Sequence, residues 1–328
     1  MKKIISLFLL FSFWNFHAQE SYSKALLLMG CNFEITVVAN TPEEGDKYIN
    51  TAIQEIQRIE KLISSWDEDS QTSAINKNAG KSWVKVPQEL FDLISRSQKI
   101  SKLTEGAFDI SYASIDQLWH YDGSMTRLPS AKAIQQSIAK IGWHKIEMDA
   151  EQLKIKLPET GMKIGFGAIG KGYAADKAKA LLVNMGVVGG IINASGDMNC
   201  WGTQPNGQDW KIAITNPLNK GRAFAYFPIL NSAVVTSGNY EKYIEINNQR
   251  YTHIIDPRTG YPTTELISCT VFAPKAELAD ALATSIFVMG KESGLFLINQ
   301  LPNIECILVD AHGNIFYSKQ IKTQQIKS

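Results

Sequence analysis

Gly165-Phe166-Gly167-Ala168-Ile169-Gly170-Lys171-Gly172 is the stretch on which the reading of this chain turns. It satisfies G-x-G-x-x-G, the dinucleotide fingerprint, and G-x-x-x-x-G-K, the front of a P-loop. Both patterns aim backbone N–H groups and a helix N-terminus at phosphate oxygens. As a P-loop the stretch fails at Gly172, which stands where Ser or Thr would hold the metal. As a dinucleotide fingerprint it has a strand before it, an Ala-rich helix after it and Asp197 beyond the next strand. Against that, the motif lies mid-chain and no second run of βαβ units follows. A plain glycine-rich strand-to-helix turn fits the same letters. Three properties are common to these readings: small residues open the backbone to a ligand, a helix begins, and Lys171 can reach an anion. A phosphate-bearing ligand is the expectation.

Outward from this stretch, apolar periodicity predicts helices over 43–63, 88–103, 130–141, 170–185 and 277–289, the last closed by Gly290. A strand pair is expected over 24–38 and a hairpin over 145–157. Strands are expected over 187–193, 211–215, 224–230 and 243–246, with a closing hairpin over 304–309 and 315–318. Helices and strands are mixed without strict alternation. The fold class expected is therefore α+β, a single domain of mixed sheet and helices.

The chain has 328 residues, 45% hydrophobic and 20% charged, with a formal net charge of +1. No global basic field points to nucleic acid, and none is expected as a partner. Lys2 and Lys3, the apolar run 4–14 and Phe16-His17-Ala18 read as a signal peptide over 1–18, leaving 19–328 as the mature domain. The run is short for a membrane span, although a retained anchor is the alternative. No twin-Arg pair is present, so Sec export to the periplasm or the outer face of the inner membrane is expected. Leu28-Met29-Gly30-Cys31 looks like a lipobox, but the polar stretch 19–24 separates it from the apolar run. Cys31, Cys200, Cys269 and Cys306 are widely spaced, which argues against zinc and leaves open disulfides or free thiols.

Four further stretches carry candidate chemistry. In Asp280-Ala281-Leu282-Ala283-Thr284, Asp280 and Thr284 are i and i+4 on a helix and share a face. A carboxylate, a hydroxyl and a nearby carbonyl suit a hard cation such as Mg²⁺; a solvated helix face gives the same pattern. Tyr251-Thr252-His253-Ile254-Ile255-Asp256-Pro257-Arg258-Thr259-Gly260 reads as a strand entering a turn, with His253 a candidate base or a structural histidine. Val235-Thr236-Ser237-Gly238-Asn239-Tyr240 and Asn193-Ala194-Ser195-Gly196-Asp197 read as small polar loops after apolar strands, which either line a cleft or are plain turns.

These pieces, taken in order, resemble the ApbE family, the FAD:protein FMN transferases. The resemblance runs from Met29 to about Gly290 through eight blocks. Met29-Gly30 with Phe33 comes first, then Ser64-x-Trp66 with Ser70, Ser73, Ile75 and Asn76. Gly106-Ala107-Phe108-Asp109-Ile110 with Leu118-Trp119 follows, then the glycine block through Tyr173-Ala174-Ala175-Asp176. The Asn193 and Thr236 stretches, His253-x-x-Asp256-Pro257-x-Thr259-Gly260 and the Asp280 block complete the series.

The resemblance implies a single ApbE-like domain with its active site in a cleft. It implies Mg²⁺-dependent transfer of FMN from FAD to a Ser or Thr hydroxyl of an acceptor flavoprotein, with release of AMP. Membrane-surface association through the acceptor is part of that expectation. Met29, Trp66, Ala107, Phe108, Asp109, Gly165, Lys171, His253 and Ile254 fall at flavin-dinucleotide contact positions. Ala168, Asp280, Ala283 and Thr284 fall at the Mg²⁺ site, and His253 and Asp280 are the candidate catalytic residues. Family members often carry an acidic residue where Gly165 stands, and Thr or Ser where Cys31 stands. Other readings are an Mg²⁺-dependent FAD pyrophosphatase giving FMN and AMP, a non-catalytic flavin-binding protein, and a Rossmann-type NAD-dependent dehydrogenase.

Overall fold

The computed structural model describes residues 18–115, 118–239, 243–247 and 249–321. But for Ala18, the leader expected over 1–18 lies outside them, as does Tyr240. β1 (Glu20–Leu28) and β2 (Cys31–Ala39) form a hairpin in which Leu28 faces Cys31. Its two turn residues, Met29 and Gly30, have φ of 49° and 73°. A two-residue turn left-handed at both positions matches the twist of the strands it joins. Gly30 adopts this freely, whereas Met29 holds it despite its Cβ.

α1 (Pro42–Ile63) follows at once, because Thr41 accepts the Glu44 N–H and Pro42 pre-sets the first turn. Ile49, Ile53, Ile56, Ile59 and Ile63 form its buried stripe. Next come α2 (Gln71–Lys77), β3 (Val84–Lys85), α3 (Gln88–Leu103), α4 (Ala131–Ile138), β4 (Glu147–Asp149) and β5 (Lys154–Lys156). α5 (Gly170–Asn184) leads to β6 (Gly190–Ala194), β7 (Asp197–Trp201), β8 (Trp210–Asn216), β9 (Asn219–Ile229) and β10 (Ala233–Gly238). β11 (Tyr243–Ile246), β12 (Gln249–Thr252), β13 (Leu266–Ala273), α6 (Ala276–Met289), α7 (Lys291–Ile298), β14 (Glu305–Asp310) and β15 (Ile315–Tyr317) complete the chain.

The main sheet has eight strands in the order β1-β2-β6-β7-β10-β13-β14-β15, and each neighbouring pair is antiparallel. This is the expected α+β class, and it overturns the doubly wound alternative, which needs parallel strands. The strand expected directly before Gly165 is also absent. β5 ends at Lys156 in a separate three-stranded sheet, and the chain from there to α5 is turn and coil. The Gly165 N–H bonds to the Ile110 carbonyl at 2.9 Å instead of entering a ladder. Thr236, Ser237 and Gly238, read as a loop, extend β10, with Thr236 hydroxyl-bonded at 2.8 Å to Thr270 across the strand pair. The helix expected over 130–141 is shorter, because the chain turns away before Gly142 at φ 153°.

The side chains of β2 alternate. Phe33, Ile35 and Val37 face a core built with α1, α5 and α6, and Val38 faces the β8–β9 ribbon on the other side. A third, smaller cluster joins Trp119, Ile134, Ile244, Ile246 and Ile255. The four cysteines are free thiols, and burial pushes those of Cys200 and Cys306 up to about 12. Among the described residues no helix is long and apolar enough to cross a membrane.

Glu89 ties α1, α3 and α5 together. It accepts from Arg58 on α1 at 2.7 Å, and from Tyr173 and Lys177 on α5 at 2.8 Å each. Burial works against its charge, but these three donors outweigh burial and hold the carboxyl down, from an ordinary 4.5 to about 2. A depressed carboxyl pKa stabilises the fold above its unfolded value and loses that contribution as pH falls toward its folded value. Thermal stability should therefore fall between about pH 4.5 and 2 partly through this group, and Glu89→Gln should flatten that limb. An unchanged acid limb in melting curves of the variant would show that the network does not depend on the charge.

Candidate active site

The site begins where two hairpin turns meet. β2 pairs with β6, with Phe33 opposite Ala194, so the Met29-Gly30 turn lies beside the Ser195-Gly196 turn between β6 and β7. The Ser195 N–H and hydroxyl both donate to the Asn32 carbonyl, at 2.8 and 3.1 Å. α5 starts against this corner. A Cβ on Gly170 would sit 2.9 Å from Ile63 Cδ1 and 3.8 Å from Met29 Cε.

Lys171, in the first turn of α5, is ion-paired with Asp197, the first residue of β7. Burial opposes the lysine charge, but the carboxylates of Asp197 and Asp280 outweigh it and push the pKa of Lys171 up. The Cys31 thiol lies in the same field. Burial raises its pKa, with the Ser195 hydroxyl and Lys171 pulling the other way.

Asp280 reaches this corner because α5 and α6 touch at backbone distance. A Cβ on Gly172 would overlap the Ala276 carbonyl oxygen and lie 2.5 Å from its carbon. With no Cβ there, the Gly172 N–H donates to Asp280 Oδ2 at 3.0 Å. Asp280 is only 3% exposed, and among the described residues no donor meets its Oδ1. Burial raises its pKa, opposed by Lys171 and reinforced by Asp197. One turn further along α6, the Thr284 hydroxyl lies 3.3 Å from the Ser237 hydroxyl. Ala283 between them is fully buried, and Ala168 packs against the core in the loop before α5. A carboxylate with one oxygen tied to the helix backbone and the other without a protein donor among the described residues, with a hydroxyl a turn away, is a hard-oxygen set that fits Mg²⁺.

The remaining positions surround this corner. Trp66 follows α1 and is 91% exposed, on a loop pinned by the Ser64 hydroxyl, which accepts the Trp66 and Asp67 N–H groups. Gly165 adjoins that loop, since its Cβ would meet Ala113 at 3.1 Å and Ser65 Oγ at 3.5 Å. Ala107 and Phe108 are core residues. Asp109 is engaged internally: Oδ1 accepts from the Ser111 N–H and hydroxyl, and Oδ2 accepts from the Trp143 N–H at 2.8 Å. His253, just after β12, meets Tyr121 edge-on with ring centroids 6.4 Å apart, and Ile254 beside it is buried.

The structure thus brings Met29, Lys171, Asp280 and Thr284 to one corner and adds Asp197, read only as the acidic residue of the dinucleotide fingerprint, and Ser237, to which sequence reasoning gave no individual role. The signal for Asp197 was its position after the Ser195-Gly196 turn. Nothing in local spacing marked Ser237 as a neighbour of Thr284.

The model of the ApbE family matches residues 29–308. The chain belongs to the ApbE family. All eight blocks quoted above lie within that span. Among relatives, the FAD:protein FMN transferase of Treponema pallidum is 28% identical over 309 residues, covering 88% of this chain and 84% of its own length. The FAD:protein FMN transferase of Klebsiella pneumoniae is 29% identical over 299 residues, covering 90% and 92%. The crystal structure of the ApbE protein from Thermotoga maritima superposes with a TM-score of 0.84 at 29% identity, over 92% of this chain and 97% of that one. The apo flavinyl transferase ApbE of Pseudomonas stutzeri gives 0.81 at 25% identity, over 92% and 95%. The ApbE assignment agrees with the α+β sheet and leaves the NAD-dependent dehydrogenase without support.

Proposed function

We propose that this chain is an exported, Mg²⁺-dependent FAD:protein FMN transferase acting on a Ser or Thr hydroxyl of an acceptor flavoprotein. The observation that carries the reading is the buried Asp280 carboxylate, one oxygen held by the Gly172 N–H and the other without a donor, beside Lys171 at the start of α5. The pyrophosphate of FAD lies over the 167–172 loop, where backbone N–H groups at the helix start and the Lys171 ammonium meet its oxygens. Met29, Trp66, Gly165 and the 107–109 and 253–254 segments hold the remainder of the dinucleotide. Asp280 and Thr284, with the carbonyls of Ala168 and Ala283, would hold Mg²⁺. When bound, that ion offsets the pyrophosphate charge and stabilises the charge that develops on its oxygens.

The acceptor hydroxyl oxygen attacks the phosphorus next to riboflavin. The bond to the AMP phosphate breaks, and AMP leaves with the electron pair. His253 or a carboxylate of the site takes the hydroxyl proton. Alignment of the two substrates and charge neutralisation supply most of the acceleration. Export by a Sec-type signal places the enzyme in the periplasm or at the outer face of the inner membrane, near membrane-bound acceptors.

The test is mass spectrometry of exported and membrane flavoproteins co-expressed with this chain. A mass gain equal to FMN minus water on a Ser or Thr is the expected result. FAD and Mg²⁺ alone should release AMP slowly. Rapid release of AMP and FMN without any acceptor would replace the transferase with a pyrophosphatase.

A further inference from the structure

Behind the Lys171–Asp280 corner stands a half-buried carboxylate. Asp176 lies one turn after Gly172, on the same face of α5. α6 has no cap of its own, since Lys275 at its N-cap makes no side-chain hydrogen bond. Its first N–H groups are met from α5 instead. Asp176 Oδ1 accepts from the Ala276 N–H at 2.9 Å, and Oδ2 from the Glu277 N–H at 3.0 Å. Asp176 Oδ1 also accepts from Asn199 Nδ2 at 2.6 Å. Asn199 Oδ1 in turn accepts from Lys179 Nζ at 2.9 Å, and the same ammonium donates to the Cys200 carbonyl at 2.9 Å. Asn199 is fully buried and stands two residues after Asp197 on β7, so both project from one face of the strand.

One polar bracket therefore fixes three elements that carry site residues: α5 with Lys171, β7 with Asp197, and the start of α6 one turn before Asp280. A helix N-terminus buried without a local cap is costly unless another group supplies acceptors. Here the acceptors come from the helix that also donates the Gly172 N–H to Asp280. Sliding or rotating α6 would break the bonds at Ala276 and Glu277 and the bond at Asp280 together.

We propose that Asp176 is a positioning residue for the cation site: by capping α6 from α5 it holds the Asp280 carboxylate in the orientation that binds the ion. This rests on the reading of Asp280 as a cation ligand. The test compares Asp176→Ala and Asp176→Asn with the wild type in the full chain. AMP release with acceptor is measured against Mg²⁺ concentration, and amide exchange is followed at Ala276 and Glu277. In Asp176→Ala the half-saturating Mg²⁺ concentration should rise about tenfold or more, as for other groups that orient a metal ligand. The rate at saturating Mg²⁺ should change much less, and exchange at both amides should speed up. Asp176→Asn, which keeps one acceptor oxygen but turns an amide N–H toward the other donor, should lie between Asp176→Ala and the wild type in Mg²⁺ affinity. If Asp176→Ala does not fold, Asn199→Ala, which removes the side-chain donor that holds Asp176 Oδ1, carries the same measurements.

An unchanged half-saturation, with or without a lower rate, overturns the proposal and leaves Asp176 a purely structural cap. Faster exchange with no change in Mg²⁺ dependence does the same. A wild-type enzyme indifferent to Mg²⁺ is a separate outcome, which overturns the functional reading and the positioning role with it.

Discussion

Asp280→Ala should reduce FMN transfer by about a hundredfold or more, the scale seen when one preorganised charge-stabilising group is removed from an active site. The variant that separates chemistry from folding is Asp280→Asn. Its amide oxygen still accepts the Gly172 N–H, the bond that Asp280 Oδ2 makes now. It removes a buried charge that burial already disfavours. Without metal, Asp280→Asn should therefore be as stable as the wild type or more so, because a partly compensated buried carboxylate opposes folding. Added MgCl₂ should raise the melting temperature of the wild type and of neither variant, since a ligand that binds only the folded state stabilises it. Full transfer activity in either variant would remove Asp280 from the mechanism.

Gly172→Ala should unfold or severely weaken the protein. Helix propensity alone argues the other way, because Ala in a helix interior is favoured over Gly by about 1 kcal/mol. Space decides the sign. The new methyl would overlap the Ala276 carbonyl oxygen and lie 2.5 Å from Ala276 C and 2.8 Å from the Glu277 nitrogen. These are backbone atoms, so no side-chain rotation relieves the overlap. The helices must separate, and that movement strains the Gly172–Asp280 bond and the Asp176 cap at once. A cost of about 3 kcal/mol or more is expected, at the upper end for overpacking. It should appear as a lower denaturation midpoint, with loss of Mg²⁺ response in whatever folds. A midpoint equal to or above wild type would mean that α5 and α6 do not need this approach. At Gly172, where the stretch departs from a P-loop, the hydroxyl of Ser or Thr gives way to a helix crossing.

Much of the fold was legible in the sequence. α3 and β11 fall on their predicted residues, and α1, α5 and α6 agree to within a residue or so. Long amphipathic or Ala-rich segments state their own period, and Gly290 supplies a stop. α2 and α7 were missed because seven or eight residues show too little periodicity. β10 was read short because Thr-Ser-Gly has turn composition. It is a strand because the Thr270 hydroxyl and the cover of α6 supply what its small polar side chains lack.

For the site, residue types were readable but partnerships were not. Lys171 was recognisable as an anion-binding group, yet its pairing with Asp197 depends on β7 returning beside α5. Asp109 appeared as a ligand contact, and its carboxylate proves to be committed to Ser111 and Trp143. Asp176 sat inside a quoted block without any assigned work. Its partners at Ala276 and Glu277 are a hundred residues away, beyond what local spacing can signal.

The strand order also governs when the site can come into being. β1 and β2 can pair as soon as they are made, but β2 finds its second neighbour only in β6, with Ile35 opposite Ile192. β7 then waits for β10, and α6 arrives later still. Pairings between such distant segments close late, because the chain must surrender loop entropy before they form. No early-folding fragment of the chain therefore contains the corner where Met29, Lys171, Asp197 and Asp280 converge. A nascent or truncated chain would lack the proposed dinucleotide site, so binding there would report that folding has finished.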